Sequence, residues 1–265
     1  MKSLKYVTAG LNRFLILSRK TLYVVGFCLL SSSALADSTT VQPGAPFKLV
    51  ELFTSHGCSS CPSADTLLGT LLAEDASLMA LEYHVDYWNT LVHGSAGSFT
   101  DPFSDYEYSM RQRHYREASL RGRPGVYTPQ AIVNGRQALV GSNKRHLLKA
   151  LGSENLQQLG ISITSSENKL QIELTGNSDQ LQQLAGAPVK LVRFLDKATT
   201  QITGGENKDL QLVNHHIVYE KTTLGVVGVA DKLSFAVAAP AADEGCVVLV
   251  QGDPVSPVYA AAECP

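Results

Sequence analysis

Cys58 and Cys61 are separated by Ser59 and Ser60 at the junction of two patterns. The apolar run Phe47-Lys48-Leu49-Val50-Glu51-Leu52-Phe53 precedes them and reads as a buried strand. Ala64, Leu67, Leu68, Leu71 and Leu72 follow at helical spacing. Two thiols on a strand-to-helix turn can close a small disulfide and reopen it, which is thiol–disulfide chemistry. The thiolate is the attacking species, and unpaired N–H groups with the helix dipole favour negative charge at a helix N-terminus. Cys58 is therefore the expected nucleophile and Cys61 the resolving thiol. Pro62 suits a first helical turn, where a missing N–H costs little.

Other side chains are expected at the same edge, because parallel strands present their C-terminal ends together. The second apolar run, Leu78 to Val85, ends in His84-Val85-Asp86-Tyr87-Trp88, with the single Trp of the chain. Thr128-Pro129 suits a cis peptide bond and leaves the Thr128 backbone free to pair with an extended substrate. The candidates to border a substrate groove are therefore His84, Asp86, Trp88, Tyr127 and Thr128, with Pro129 shaping it. For His84 and Asp86, which share a strand face, hydrogen bonding at the site edge is the plainer reading.

Four segments are expected around these residues. Residues 1–36 read as an export signal: Lys2, Lys5, Arg13, Arg19 and Lys20, then apolar Leu22 to Leu30, then Ala34-Leu35-Ala36. This predicts a periplasmic or secreted protein with no membrane span after signal removal. Removal takes away five of the 22 Lys+Arg and none of the 24 Asp+Glu, leaving a net charge of −7. That charge argues against nucleic acid as a partner. Residues 37–45 read as a mobile leader. Residues 46–152 alternate strand and helix patterns, with an insertion at 86–123. In it, Ser104 to Glu107 has capping-box spacing before a helix. Asn134-Gly135 between apolar runs marks a hairpin. Residues 153–265 carry seven short strand patterns and read as a β-sandwich-like unit. Facing Val250 with Ala260 places Cys246 opposite Cys264, and a cross-strand disulfide there suits an oxidising compartment.

Gly57-Cys58-Ser59-Ser60-Cys61-Pro62, the strand before it and Tyr127-Thr128-Pro129 together resemble the thioredoxin fold. More closely, the chain resembles a secreted, thioredoxin-like bacterial family catalogued as domain of unknown function number 1223. Glu51 to Pro62, His84 to Trp88, Asp101-Pro102-Phe103, Arg111-Gln112-Arg113, Val126 to Gln130 and Gly205-Glu206-Asn207 carry the resemblance. It implies an α/β thioredoxin-like N-terminal domain, joined here to an all-β C-terminal domain, and brings no activity with it. The likeness to thioredoxins also implies that Glu51 shuttles the Cys61 proton; a partner for a nearby cation is the alternative. Ser-Ser between the cysteines matches neither the Gly-Pro of reductants nor the Pro-His of strong oxidants, so the redox direction stays open.

The sequence thus predicts an exported thiol–disulfide exchange protein. Its partners would be thiols or disulfides of other exported proteins, and a redox protein that recycles the pair. No organic cofactor and no metal is implied. The alternatives are a non-catalytic binding module with a permanent disulfide, and a copper-handling protein using His56 or His84 beside the thiols.

Overall fold

Residues 37–265, apart from 154, 167, 229–231, 253 and 256, are described by a computed structural model of the chain. The expected export signal, residues 1–36, lies outside them. In chain order the elements are β1 (Ser38–Val41), β2 (Lys48–Thr54), α1 (Pro62–Glu74), β3 (Leu78–His84), a 3-10 turn (Gly94–Ala96), α2 (Tyr106–Glu117), β4 (Arg121–Gly122), β5 (Gln130–Val133), β6 (Gln137–Val140) and α3 (Lys144–Leu151). They continue with β7 (Gly160–Ser166), β8 (Lys169–Thr175), α4 (Ser178–Gln183), β9 (Pro188–Gln201), β10 (Gln211–Val226), β11 (Lys232–Ala238), β12 (Glu244–Gln251) and β13 (Val258–Glu263).

β2 and β3 are buried on both faces, as their near-continuous apolar sequences require, and they pair in parallel with α1 as the crossover. Helix α1 buries Ala64, Leu68 and Leu71, one stripe at helical spacing. Asn134 and Gly135 both adopt positive φ, which gives the β5–β6 hairpin its tight turn. The Asn134 side chain also accepts from the Leu49 N–H at 2.7 Å, pinning that turn to β2. Asp105 rather than Ser104 caps α2, its carboxylate accepting from Glu107 N–H. Ser38–Val41, inside the expected leader, pairs with β7.

The expectation of an α/β thioredoxin-like domain followed by a separate all-β domain is overturned. Among the described residues the protein is mostly β, in two sheets, and strands from both halves share the larger one. The nine-stranded sheet runs β13-β12-β9-β10-β3-β2-β5-β6-β4, and the four-stranded sheet runs β1-β7-β8-β11. The two halves join where Ile217 of β10 pairs in parallel with Glu82 of β3. The physical reason is an open edge: β3 has β2 on one side only, and the long β9–β10 hairpin fills the other.

One face of the large sheet packs on α2, through Phe53, Tyr83, Tyr108 and Tyr115, and this core continues to Val247 and Leu249 of β12. The other face is divided. Its β2–β3–β5 end packs on α1 and α3 through Val50, Leu52, Leu68 and Leu147. Its β9–β12–β13 end packs on the four-stranded sheet through Ile161, Ile172, Leu191 and Val248.

Cys246 and Cys264 stand at disulfide distance, Cα to Cα 5.3 Å, in the register the sequence predicts, with Val250 opposite Ala260. Cys246 lies in the core between the two sheets and Cys264 packs against it. Replacing both by alanine is expected to cost about 3 kcal/mol, from the loop the bridge closes. The readout is the urea midpoint under non-reducing conditions; an unchanged midpoint would show that the β12–β13 pairing suffices without the bridge.

Candidate functional site

The turn after β2 delivers the two cysteines to the start of α1. Cys58 N–H donates to Ser55 O, Cys61 N–H to Cys58 O, and Cys61 O accepts from Ala64 and Asp65 N–H. Cys61 is thus the N-cap residue and Pro62 follows it in the first turn. The pair is at disulfide distance, Cα to Cα 5.4 Å. Neither residue packs into any of the three apolar cores, in contrast to Cys246. Ser59 and Ser60 are exposed, yet Cys58 is only 1 % exposed and Cys61 0 %.

What covers them comes from the other half of the chain. The tip of the β9–β10 hairpin, residues 202–210, folds over the turn. Buried Asn207 donates from Nδ2 to His56 O at 2.8 Å and to Cys58 O at 2.9 Å. Glu206 accepts from Ser59 N–H at 2.8 Å and stands 3.4 Å from His93. Hydrogen bonding to Ser59 holds the Glu206 carboxyl below the usual glutamate range. Gly205, with positive φ, donates its N–H to Ala96 O, so the tip is also tied to the segment after β3.

Trp88 and Thr128 border the turn. A Cβ at Gly57 would stand 3.0 Å from Trp88 Cβ, so any larger residue there would press on Trp88. Trp88 Nε1 donates to Thr128 Oγ1 at 2.8 Å. The Thr128–Pro129 peptide is cis. Pro129 is buried near Ala64 of α1, both within 3.3 Å of where a Gly141 side chain would begin.

The remaining predicted residues stand elsewhere. Asp86 is held by Ser109 of α2. Tyr127 gives its carbonyl to Gln112 and its ring to the Arg123 guanidinium, 4.4 Å away. Glu51 points to the α2 face of the sheet, away from α1, and is bound by Arg111 and Tyr115.

His84 belongs to a buried polar cluster on the α1 face. Its Nδ1 pairs with Asp101 Oδ2 at 2.7 Å, and Glu82 Oε2 is 3.7 Å from its Nε2. His56 Nδ1 is 3.3 Å from Asp101 Oδ1, and its Nε2 meets Asn214 Oδ1 at 2.8 Å. Asp65 of α1 accepts from Thr54 Oγ1 at 2.7 Å. Burial alone would depress His84, but the Asp101 charge and hydrogen bond, with Glu82, push it up to about 10. Burial would raise Asp101, but His84 holds it at about 2. Burial, then the nearby Glu82 carboxylate, pushes Asp65 well above the usual range. Sequence reasoning missed Asp65 and Glu82, single acids in apolar runs. Asp101 and Asn207 carried the family resemblance, but without a role.

Fold and site together define a β-rich, two-sheet protein with a Cys-x-x-C disulfide at a helix N-terminus, capped by a hairpin tip. The chain belongs to the family described as Protein of unknown function (DUF1223), whose model matches residues 49–251, as the sequence resemblance implied. It is similar to the crystal structure of protein AGR_C_4864 from Agrobacterium tumefaciens. The TM-score is 0.63 at 28 % identity, over 82 % of this chain and 93 % of that one. It also shares its fold with HBP35 of Porphyromonas gingivalis, with TM-score 0.50, 12 % identity, and 84 % and 76 % of the two chains covered. No curated protein is significantly similar to the chain. No helix among the described residues is long and apolar enough to cross a membrane.

Proposed function

We propose that this is an exported thiol–disulfide exchange protein that reacts through Cys58 and Cys61 once the 202–210 tip lifts. The observation that carries the reading is the contrast between the two bridges. Cys246–Cys264 is packed into a core, whereas Cys58–Cys61 packs into none and lies beneath two exposed serines and a hydrogen-bonded tip.

A client thiolate attacks Cys58 Sγ, the Cys58–Cys61 bond breaks, and Cys61 leaves as a thiolate that takes a proton. A second client thiolate then displaces Cys58 from the mixed disulfide. The client dithiol is oxidised to a disulfide and the protein pair is reduced to two thiols. The same steps reversed reduce a client disulfide, and a second exported dithiol–disulfide protein recycles the pair. The N-terminus of α1, where Cys61 is the N-cap and Cys58 lies three residues ahead of it, favours negative charge at the pair in either direction. Trp88, Thr128 and cis-Pro129 border the path a client chain would take.

Burial of both sulfurs favours a second reading, a permanent disulfide in a binding module. Cys61→Ala separates the two. Under exchange, the variant accumulates mixed disulfides with exported proteins through Cys58, seen on non-reducing gels and mapped by mass spectrometry. A variant that stays unlinked, in a fraction where the wild-type pair stays oxidised under added thiol, supports the permanent bridge.

A further inference from the structure

The polar cluster beneath the cysteine turn holds several buried polar atoms without a hydrogen-bond partner. One potential ligand atom each from His56, His84 and Asp101 lies within 4.8 Å of the other two, and all three side chains are fully buried. His56 Nδ1, His84 Nε2 and both Glu82 carboxylate oxygens have no hydrogen-bond partner. Buried polar atoms without partners are rare in folded proteins, and here four fall on three neighbouring side chains.

The orientation of His56 sharpens the point. Its Nε2 meets Asn214 Oδ1 at 2.8 Å, and the tautomer with the proton on Nε2 donates to that oxygen. The Nδ1 lone pair then faces a carboxylate oxygen, Asp101 Oδ1, at 3.3 Å. Two lone pairs at that distance repel unless a positive charge lies between them. A tetrahedral cation about 2.0–2.2 Å from each donor places neighbouring donors about 3.3–3.6 Å apart. Among the described residues no Lys or Arg forms an ion pair with Asp65, Glu82 or Asp101. The Phe99 ring lies 6.1 Å from the His56 ring, and the Phe103 ring lies 5.8 Å from His56 and 5.5 Å from His84.

We infer that His56, His84 and Asp101 form a binding site for a divalent transition-metal cation. Imidazole and carboxylate donors select the Zn²⁺, Co²⁺, Mn²⁺ and Fe²⁺ group rather than Cu⁺, which prefers sulfur. Asn214 holds the His56 tautomer that such a site needs, the role an outer partner plays for a metal-ligating histidine. The site is independent of the exchange reading, since it uses neither cysteine.

The test uses chelator-treated protein with both disulfides oxidised, so that no thiol contributes. Zn²⁺ is titrated by calorimetry and Co²⁺ by visible absorption, in the wild-type chain and in His56→Gln and Asp101→Asn. One equivalent of Zn²⁺ is expected to bind the wild type and raise its melting temperature, and Co²⁺ to give the visible bands of a four-coordinate N/O site. Each variant is expected to weaken binding by about 100-fold and lose the bands. Wild-type protein that takes up no stoichiometric Zn²⁺ would overturn the proposal and leave His56 Nδ1–H donating to Asp101, with the Asn214 amide reversed. So would binding unchanged in both variants, which would place the metal on other histidines.

Discussion

Arg111→Ala is expected to destabilise the protein by about 3–5 kcal/mol, a large fraction of the net stability of a folded domain. Arg111 and Glu51 are both fully buried, with Nε to Oε1 at 2.8 Å. Arg111 also donates to Gln251 of β12 at 3.1 Å, and Tyr115 donates to Glu51. Removing the guanidinium leaves the Glu51 carboxylate with Tyr115 and no balancing charge, and leaves a void between α2 and the sheet. The Coulombic gain of a buried pair barely exceeds its desolvation, but a broken pair keeps the whole desolvation cost. The check is urea denaturation with an unchanged m-value. Arg111→Met with Glu51→Gln should recover a large part of the loss, because no charge stays buried. A loss under about 1 kcal/mol for Arg111→Ala would mean that the Glu51 carboxylate does not depend on the guanidinium.

Asn207→Ala is expected to speed reduction of Cys58–Cys61 by small thiols by about 5- to 150-fold. The side chain supplies two of the hydrogen bonds that hold the 202–210 tip over the cysteine turn. At about 0.5–1.5 kcal/mol each, their loss shifts the opening equilibrium by about 1–3 kcal/mol. Glu206 adds a pH dependence of known sign. Its carboxyl is held below the ordinary value of 4.5, chiefly by Ser59, so the folded state favours its ionised form. That contribution is complete above the ordinary value and is lost as pH falls through the depressed one. Cap opening therefore grows in acid, and Glu206→Gln removes this part of the pH dependence. Rates are read by alkylating thiols at timed intervals and comparing with Cys246–Cys264 in the same sample. Equal rates in wild type and Asn207→Ala would show that the tip does not control access.

Local features of this fold were legible because they follow from nearest neighbours. The apolar run into Cys58, the helical stripe after it and the Asn134-Gly135 turn each need only a few residues. The Cys246–Cys264 pairing was legible too, since one short hairpin fixes its register. The sheet was not. Alternation identifies β10 as a strand but does not name its partner, and Glu82 is 135 residues from Ile217. The best hint was length: β9 and β10 run 14 and 16 residues, well beyond the usual 5–6, so each can serve two environments. The place of Glu51 was hidden for a related reason. β2 is apolar on both faces, so its sequence does not say which face meets α1. The cap was half legible: Gly205-Glu206-Asn207 carried the resemblance, but nothing local tied it to Cys58 across about 150 residues.

The most direct test of the exchange reading is native-state reduction of the oxidised wild-type protein, with thiol trapping and mass spectrometry of each cysteine, alongside its global unfolding rate. Under exchange, Cys58 and Cys61 are expected to become labelled together, with Cys246–Cys264 intact, faster than the chain unfolds. Labelling of all four cysteines in step, at the unfolding rate, would contradict it.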